Sequence, residues 1–143
     1  MPAGVFYLRT AVSLIYSLLV LSSPASGHSS RSAALFARSL IARGHSLHRV
    51  FFLDTGVLNA AAGAVFPQDE LNPTEAWISL AEQHAVELTI CISSALRYAM
   101  LDQEEADRHD CPGMTIHPLF SVSGLGQLID ASANSDRLIT FGG

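Results

Sequence analysis

Apolar and polar positions recur along this chain with two periods, and the switches between them mark out its elements. Residues 29–43 place Ala33, Ala34, Ala37, Leu40 and Ile41 on one face at helical spacing, and Gly44 stands where a left-handed cap belongs. This predicts a helix laid on a sheet. Residues 46–54 (SLHRVFFLD) are short, rich in β-formers and closed by Thr55-Gly56, which predicts a strand. Residues 57–71 contain Ala60-Ala61-Ala62-Gly63 and Pro67 and keep neither period, so a functional or partner-facing loop is expected. Asn72-Pro73-Thr74-Glu75 supplies an N-cap, a proline at the first helical position and an acid at the third; Ala76, Trp77, Leu80, Ala81 and His84 form the expected buried stripe. Residues 86–92 alternate, with Val86, Leu88, Ile90 and Ile92 on one side and Glu87, Thr89 and Cys91 on the other, a third strand.

Beyond that strand, Ser93 and Ser94 are placed to cap a helix starting near Ala95. Asp102 with Glu105 repeats the capping-box spacing for a second short helix through Arg108, which Cys111-Pro112-Gly113 stops. Residues 115–122 predict a short strand, irregular or at an edge because it contains Pro118. Ser123-Gly124-Leu125-Gly126 opens a helix to about Ala133, and residues 137–141 form the final strand. Strands alternating with helices over the whole length imply an α/β fold: a three-layer, doubly wound, mainly parallel sheet of about five strands.

The first apolar run admits two readings. Arg9, residues 11–21 (AVSLIYSLLVL) and the small residues 22–27 have the layout of a secretory signal, while residues 15–21 equally fit a buried parallel strand followed by a turn. Periodicity does not choose between them. The run is too short and too interrupted by serine to span a bilayer, and no membrane partner is expected. Residues 1–14 read as an N-terminal extension and residues 15–143 as a single domain.

Composition narrows the chemistry. A chain of 143 residues that is 49% hydrophobic and 15% charged suits one core that needs no disulfide staple or structural metal. Its 8 basic residues are all Arg and its 13 acidic residues leave a formal charge of −5, which disfavours direct capture of a nucleic acid. Walker, GxGxxG, HExxH, CxxC and GxSxG motifs are absent, and the six histidines have no metal-ligand spacing; neither a cofactor nor a metal is expected. His45 and His48 flank the start of the second strand, at the end opposite Cys91. His117 comes from the neighbouring strand region and is the one histidine placed to approach the thiol.

In an open parallel sheet, ligands gather at the carboxyl ends of the strands, and Cys91 falls at such an end. The helix that follows brings free N–H groups and a positive dipole end, which favour a thiolate; Ser93, Ser94 and Arg97 are the candidates to support its charge. Such a thiolate attacks sulfane sulfur and holds it as a persulfide. The same pattern also fits a buried cysteine acting as a small hydrophobe. Cys111, in its Pro-Gly turn, reads as an incidental exposed thiol, with a resolving or disulfide role as the alternative. Trp77 reads as core.

Thr89-Ile90-Cys91-Ile92-Ser93-Ser94-Ala95-Leu96-Arg97 followed by Asp102-Gln103-Glu104-Glu105-Ala106 resembles the strand, active cysteine and helix of the DsrE/TusD sulfurtransferase family. Further segments match in order: Ala33-Ala34-Leu35-Phe36-Ala37 to Gly44-His45, Val50-Phe51-Phe52 with Gly56-Val57 and Asn59, Ala76-Trp77 to Gln83-His84, Ser123-Gly124-Leu125-Gly126, and Asp136-Arg137-Leu138 to Phe141. The resemblance covers residues 15–143. It implies a DsrEFH-like fold with residues 15–21 as first strand, a cytoplasmic location, and Cys91 as a catalytic sulfur carrier that takes a persulfide sulfur from a TusA-like donor. It implies a TusE-like acceptor, a pathway ending in 2-thiolation of a tRNA wobble uridine, and a heterohexamer with two smaller homologous subunits (TusB/TusC-like or DsrH/DsrF-like). A DsrE-like role in dissimilatory sulfur oxidation and a non-catalytic assembly scaffold are the alternatives. The chain departs from the family in two places: Tyr98-Ala99-Met100 follows Arg97 where Arg-Gly is usual, and Leu58 replaces a loop aromatic. Ile116-His117-Pro118 is similar to DsrE of sulfur-oxidising bacteria.

Overall fold

The computed structural model describes residues 12–142; residues 1–11 of the predicted extension lie outside the described residues. Five strands, β1 (Ile15–Val20), β2 (Ser46–Phe52), β3 (Glu87–Cys91), β4 (Phe120–Ser123) and β5 (Arg137–Phe141), form one sheet in the order β4-β3-β2-β1-β5. Every pairing is parallel. The segment that fitted both a signal and a strand is β1, paired on both edges. The helices are α1 (Ser29–Ala42), α2 (Pro73–His84), α3 (Ile92–Arg97), α4 (Gln103–Arg108) and α5 (Gly126–Ala133), with a 3-10 helix over Asp54–Ala60. Steps from β1 to β4 run one way across the sheet, so right-handed crossovers put α1 to α4 on one face; the return from β4 to β5 puts α5 on the other. This is the doubly wound α/β architecture that the alternation predicts.

The two faces differ in chemistry. On the first, Leu18, Val20, Val50, Phe52, Leu88 and Ile90 pack against Ala33, Ala34, Ala37 and Leu40 of α1 and Ala76, Trp77 and Leu80 of α2. The alanines let α1 lie close on the strands, and Trp77 stacks edge-on against Phe52 at 5.5 Å. The other face carries Phe51, fully buried, beside Ser17, Arg49 and Thr89. The Arg49 side chain is 9% exposed. Its guanidinium donates to the Gln127 carbonyl (2.9 Å), the Gln127 side chain, Asp130 (3.1 Å) and Glu87, tying α5 to β2 and β3.

One buried side chain joins the loops above the sheet. Asn59 is 0% exposed, and its amide donates to the Ser22 carbonyl (3.1 Å) and the Gly56 carbonyl (2.9 Å). Its Oδ1 accepts from the Ser30 hydroxyl (2.5 Å) and the Trp77 indole (3.1 Å), and its backbone carbonyl accepts from Thr74 (2.7 Å). The 3-10 helix is thereby fixed to the end of β1, to α1 and to α2. Gly56 lies so close to β1 that a Cβ would collide with the Val20 carbonyl.

Four expectations are corrected. The stretch read as a loop from Val57 is packed as far as Ala60, because Val57, Asn59 and Ala60 are buried; the irregular segment is residues 61–72. The strand expected over 115–122 is only Phe120–Ser123: Thr115 donates from its N–H to Leu101, Ile116 bridges to Ala61, and the His117 ring accepts from the Leu119 N–H around Pro118. His84 is not in the buried stripe. It lies exposed at the end of α2, where a shallow groove separates that helix from the last turn of α1. The third helix begins at Ile92 and not near Ala95, with Cys91 itself as the capping residue; Ser93 and Ser94 lie inside the helix. The Asn72, Gly44 and Asp102 end signals all hold: Asn72 accepts from the Thr74 and Glu75 N–H groups, Asp102 accepts from Glu105, and Gly44 has φ +88°.

Asn59→Ala removes two N–H donors and one oxygen that accepts two hydrogen bonds from a dry site and leaves their partners unpaired. It is expected to cost about 3 kcal/mol or more, read as a lowered urea midpoint at unchanged slope.

Candidate functional site

Cys91 is the last residue of β3 and the first boundary of α3, with extended backbone angles (φ −70°, ψ 126°) and no side-chain cap on the helix. The register sets its direction. Phe51, Thr89 and Ser121 are neighbours across three strands, as are Phe52, Ile90 and Val122. Phe52 and Ile90 point into the large core, so Thr89 and, two residues on, Cys91 point to the α5 face. Its partner in the ladder is Ser123, which leads into the Gly124-Leu125-Gly126 turn and α5.

The immediate surroundings are hydroxyls. Cys91 Sγ lies 3.3 Å from the Ser93 Oγ, and Ser93 is exposed. Ser94, buried, does not turn to the sulfur: its Oγ accepts from the Asp54 N–H at 3.0 Å. Arg97 is in the last turn of α3, at the end of the helix away from the thiol, exposed and without an ion pair among the described residues. Of the residues predicted to support the thiolate, the fold brings Ser93 to the sulfur and directs Ser94 and Arg97 elsewhere. The thiol itself is 2% exposed.

Other predicted candidates separate from this site. Cys111 is a free, half-buried thiol after α4, its Sγ 3.7 Å from the His109 carbonyl; Cys91 is also free. His117 uses its Nδ1 on the Leu119 N–H. His45 accepts from the Leu14 N–H, and His48 lies 3.4 Å from Asp130, both at the amino end of β2. An open recess of about 510 Å³ beside β3 and β4 is lined by Arg49, Glu87, Thr89, Ser121 and Gln127 and also by Ala81 and Ala85 at the end of α2; Cys91 does not line it.

Sequence reasoning missed Arg49 and Asp54. A lone arginine inside SLHRVFF with Glu87 opening the next strand was the available signal for the first. Asp54 holds a left-handed φ of +52° at the end of β2, which no pattern before Thr55-Gly56 marks beyond the break itself.

A parallel α/β domain with a cysteine at the junction of a strand and a helix is the class that fold and site define. The chain belongs to the DsrE/DsrF-like family, whose model matches residues 16–141. It is 42% identical to the sulfurtransferase TusD of Serratia proteamaculans over 124 residues, 86% of this chain and 96% of that one. It is 38% identical to a sulfurtransferase TusD homolog of Pseudomonas aeruginosa over 87% of this chain and 95% of the relative, and 37% identical to the DsrE protein of Allochromatium vinosum over 89% and 98%. In fold it is similar to the ychN protein from E. coli, with a TM-score of 0.67 at 15% identity, covering 91% of this chain and all of that one.

Burial orders the two thiols. With limiting iodoacetamide on the native chain, Cys111 is expected to react at least about tenfold faster than Cys91, and the two to react alike in urea, read by peptide mass spectrometry. Faster native labelling at Cys91 contradicts the geometry described.

Proposed function

We propose that this chain is a sulfur-relay sulfurtransferase whose Cys91 carries the sulfur as a persulfide. The supporting observation is the placement of Cys91 at the β3–α3 junction with the Ser93 hydroxyl on its sulfur, in a chain similar over most of its length to relatives named sulfurtransferase. The reaction is an exchange at sulfur. The Cys91 thiolate attacks the outer sulfur of a donor persulfide, the donor's S–S bond breaks, and the donor cysteine leaves as a thiolate that takes up a proton. Cys91 is left as Cys–S–SH. Attack on that outer sulfur by an acceptor thiolate reverses the roles and returns the Cys91 thiolate, so no oxidant or reductant is consumed. The Ser93 hydroxyl, free to rotate, donates to whichever sulfur bears the charge.

In this reading the donor is TusA-like and the acceptor TusE-like, and the chain works in a cytoplasmic heterohexamer with two smaller homologous subunits, upstream of 2-thiolation of the tRNA wobble uridine. Among the described residues no helix is long and apolar enough to cross a membrane. A second reading, a DsrE-like subunit of dissimilatory sulfur oxidation, has its own support in the 37% identity to the Allochromatium vinosum protein. The two share the Cys91 chemistry and differ in the acceptor. A scaffold with no sulfur transfer predicts that Cys91 is dispensable.

Incubation with a donor protein that carries a persulfide, and not with a small persulfide that meets Cys111 first, is expected to add about 32 Da to the Cys91 peptide and nothing to the Cys111 peptide. Cys91→Ser abolishes transfer while leaving the unfolding midpoint and partner assembly unchanged. Sulfur on Cys111, or undiminished transfer by Cys91→Ser, overturns the assignment.

A further inference from the structure

We propose that the groove walled by the segment between the 3-10 helix and α2 is the docking seat of the protein that delivers sulfur to Cys91, and that this donor meets it with a basic face. The proposal deepens the reading of Cys91 as the sulfur carrier and rests on it.

Residues 61–72 form a long irregular connection, yet both of its ends are fixed. The Ala62 N–H donates to the Thr115 carbonyl at 3.0 Å, Ala61 bridges to Ile116, and Asn72 caps α2. Between these ends the segment walls a groove of about 380 Å³, lined by Ala64, Val65, Phe66, Pro67, Glu70 and Glu75 among others. Val65 is 93% exposed, the most exposed large apolar side chain among the described residues. With Ala64, Phe66 and Pro67 it makes a contiguous apolar strip rimmed by polar groups, the pattern of an interaction surface.

Charge selects the occupant. Asp69, Glu70 and Glu75 are exposed and form no ion pair among the described residues. No Arg or His lines the groove. Arg31 and His28 share an adjoining recess with Glu70, and the one fixed positive charge there leaves the rim acidic. In the proposed exchange the donor's cysteine leaves as a thiolate, and a thiol leaves faster when its pKa is lowered, which Lys and Arg around it do. The face that a donor presents is therefore electropositive and complements this rim. In the second step Cys91 is the leaving group, so the same demand does not fall on the acceptor.

The groove and the thiol share one end of the sheet. The 3-10 helix leaves the carboxyl end of β2, and α2 starts at that end before running back to the amino end of β3. Cys91 ends β3, the neighbour of β2; its side chain faces α5, while the groove lies on the α2 side. Adjacent strands are about 5 Å apart, and a stable interface covers about 800 Å² per partner, a patch on the order of 30 Å across. A donor seated over the carboxyl edge of the sheet spans both.

The test is binding of a TusA-like protein, read by calorimetry, to the chain carrying Cys91→Ser, in which no transfer at that position complicates the measurement. Against this parent, Glu70→Lys and Val65→Ser are each expected to weaken binding about tenfold. Glu82→Lys makes the same charge change at an exposed position in the last turn of α2, remote from the groove, and is expected to stay within about twofold. Raising salt from about 50 to about 300 mM is expected to weaken binding to the parent more than to Glu70→Lys. All three variants keep the urea midpoint of the parent, because the substituted side chains are exposed. Parental affinity in Glu70→Lys or Val65→Ser, an equal loss in Glu82→Lys, or no binding of the TusA-like protein to the parent overturns the assignment. So does a loss confined to a TusE-like protein or to the homologous subunits. The sulfur found at Cys91 in the wild-type chain is read separately, so a failed docking seat and a failed carrier assignment are told apart.

Discussion

The upper end of this fold depends on one amide. Asn59 sits in a dry environment where each unmade hydrogen bond costs about 1–3 kcal/mol, and it meets that demand by using both N–H donors and both acceptor positions of its side chain. Its four partners come from four parts of the chain: the turn after β1, the first turn of α1, the 3-10 helix and α2. None can be displaced without orphaning the amide, so the loops that would otherwise be the variable part of a parallel sheet are set together. Gly56 completes the seating, because only a residue without a Cβ brings the 3-10 helix down onto the Val20 carbonyl. The alignment of Asp54 toward the cysteine helix is a downstream consequence of the same knot.

The sheet divides its labour between its faces. The side covered by α1 and α2 is apolar throughout and supplies the bulk of the buried surface. The other carries a single eight-residue helix, held by Arg49 through Gln127 and Asp130 in its first turns. A guanidinium this buried is costly unless paired, and its partners Glu87 and Asp130 are half-exposed, so the network fixes where α5 sits more than it adds stability. Cys91 faces this lightly covered side, at the end of the sheet opposite Arg49. The proposed sulfur carrier is thus placed away from the packing that makes the domain stable, and changes there leave the main core intact.

The elements were legible where local physics decides them. Asn72-Pro73 and Asp102 with Glu105 announce helix starts through hydrogen bonds and a φ value that their own side chains impose, Gly44 announces an end through the positive φ that a missing Cβ permits, and each bounds its helix as read. The alternation in residues 86–92 gave the strand and put Cys91 at its carboxyl end. The misreadings are those that tertiary contacts decide. Alanine-rich residues after Val57 look loose in isolation, yet Asn59 packs them as a 3-10 helix. Ser93 and Ser94 carry the residue types of an N-cap, but β3 hands over to α3 at the cysteine, which moves both serines inside and sends one hydroxyl to the sulfur and the other to Asp54. Arg97 is close to Cys91 in sequence and remote from it in space because a six-residue helix is long enough to carry it to the other end. The burial of the thiol was open in the sequence, since a reactive cysteine and a core cysteine read alike until the cover above them is known.

On the reading of Cys91 as a sulfur carrier, that burial and the proposed activity explain each other. A persulfide gives up its outer sulfur to any thiolate that reaches it, by the same exchange whether the thiol is the acceptor or a small reductant. Raising the intrinsic reactivity of the carrier speeds both outcomes and separates neither. Access separates them. If the sulfur is sealed at rest and exposed by a movement that a docking protein stabilises, the encounter that supplies the right thiol also opens the site, while a small thiol meets the closed form. Every 1.4 kcal/mol by which closure is favoured in the free chain lowers adventitious loss about tenfold, and binding energy from the correct partner offsets it at the moment of transfer.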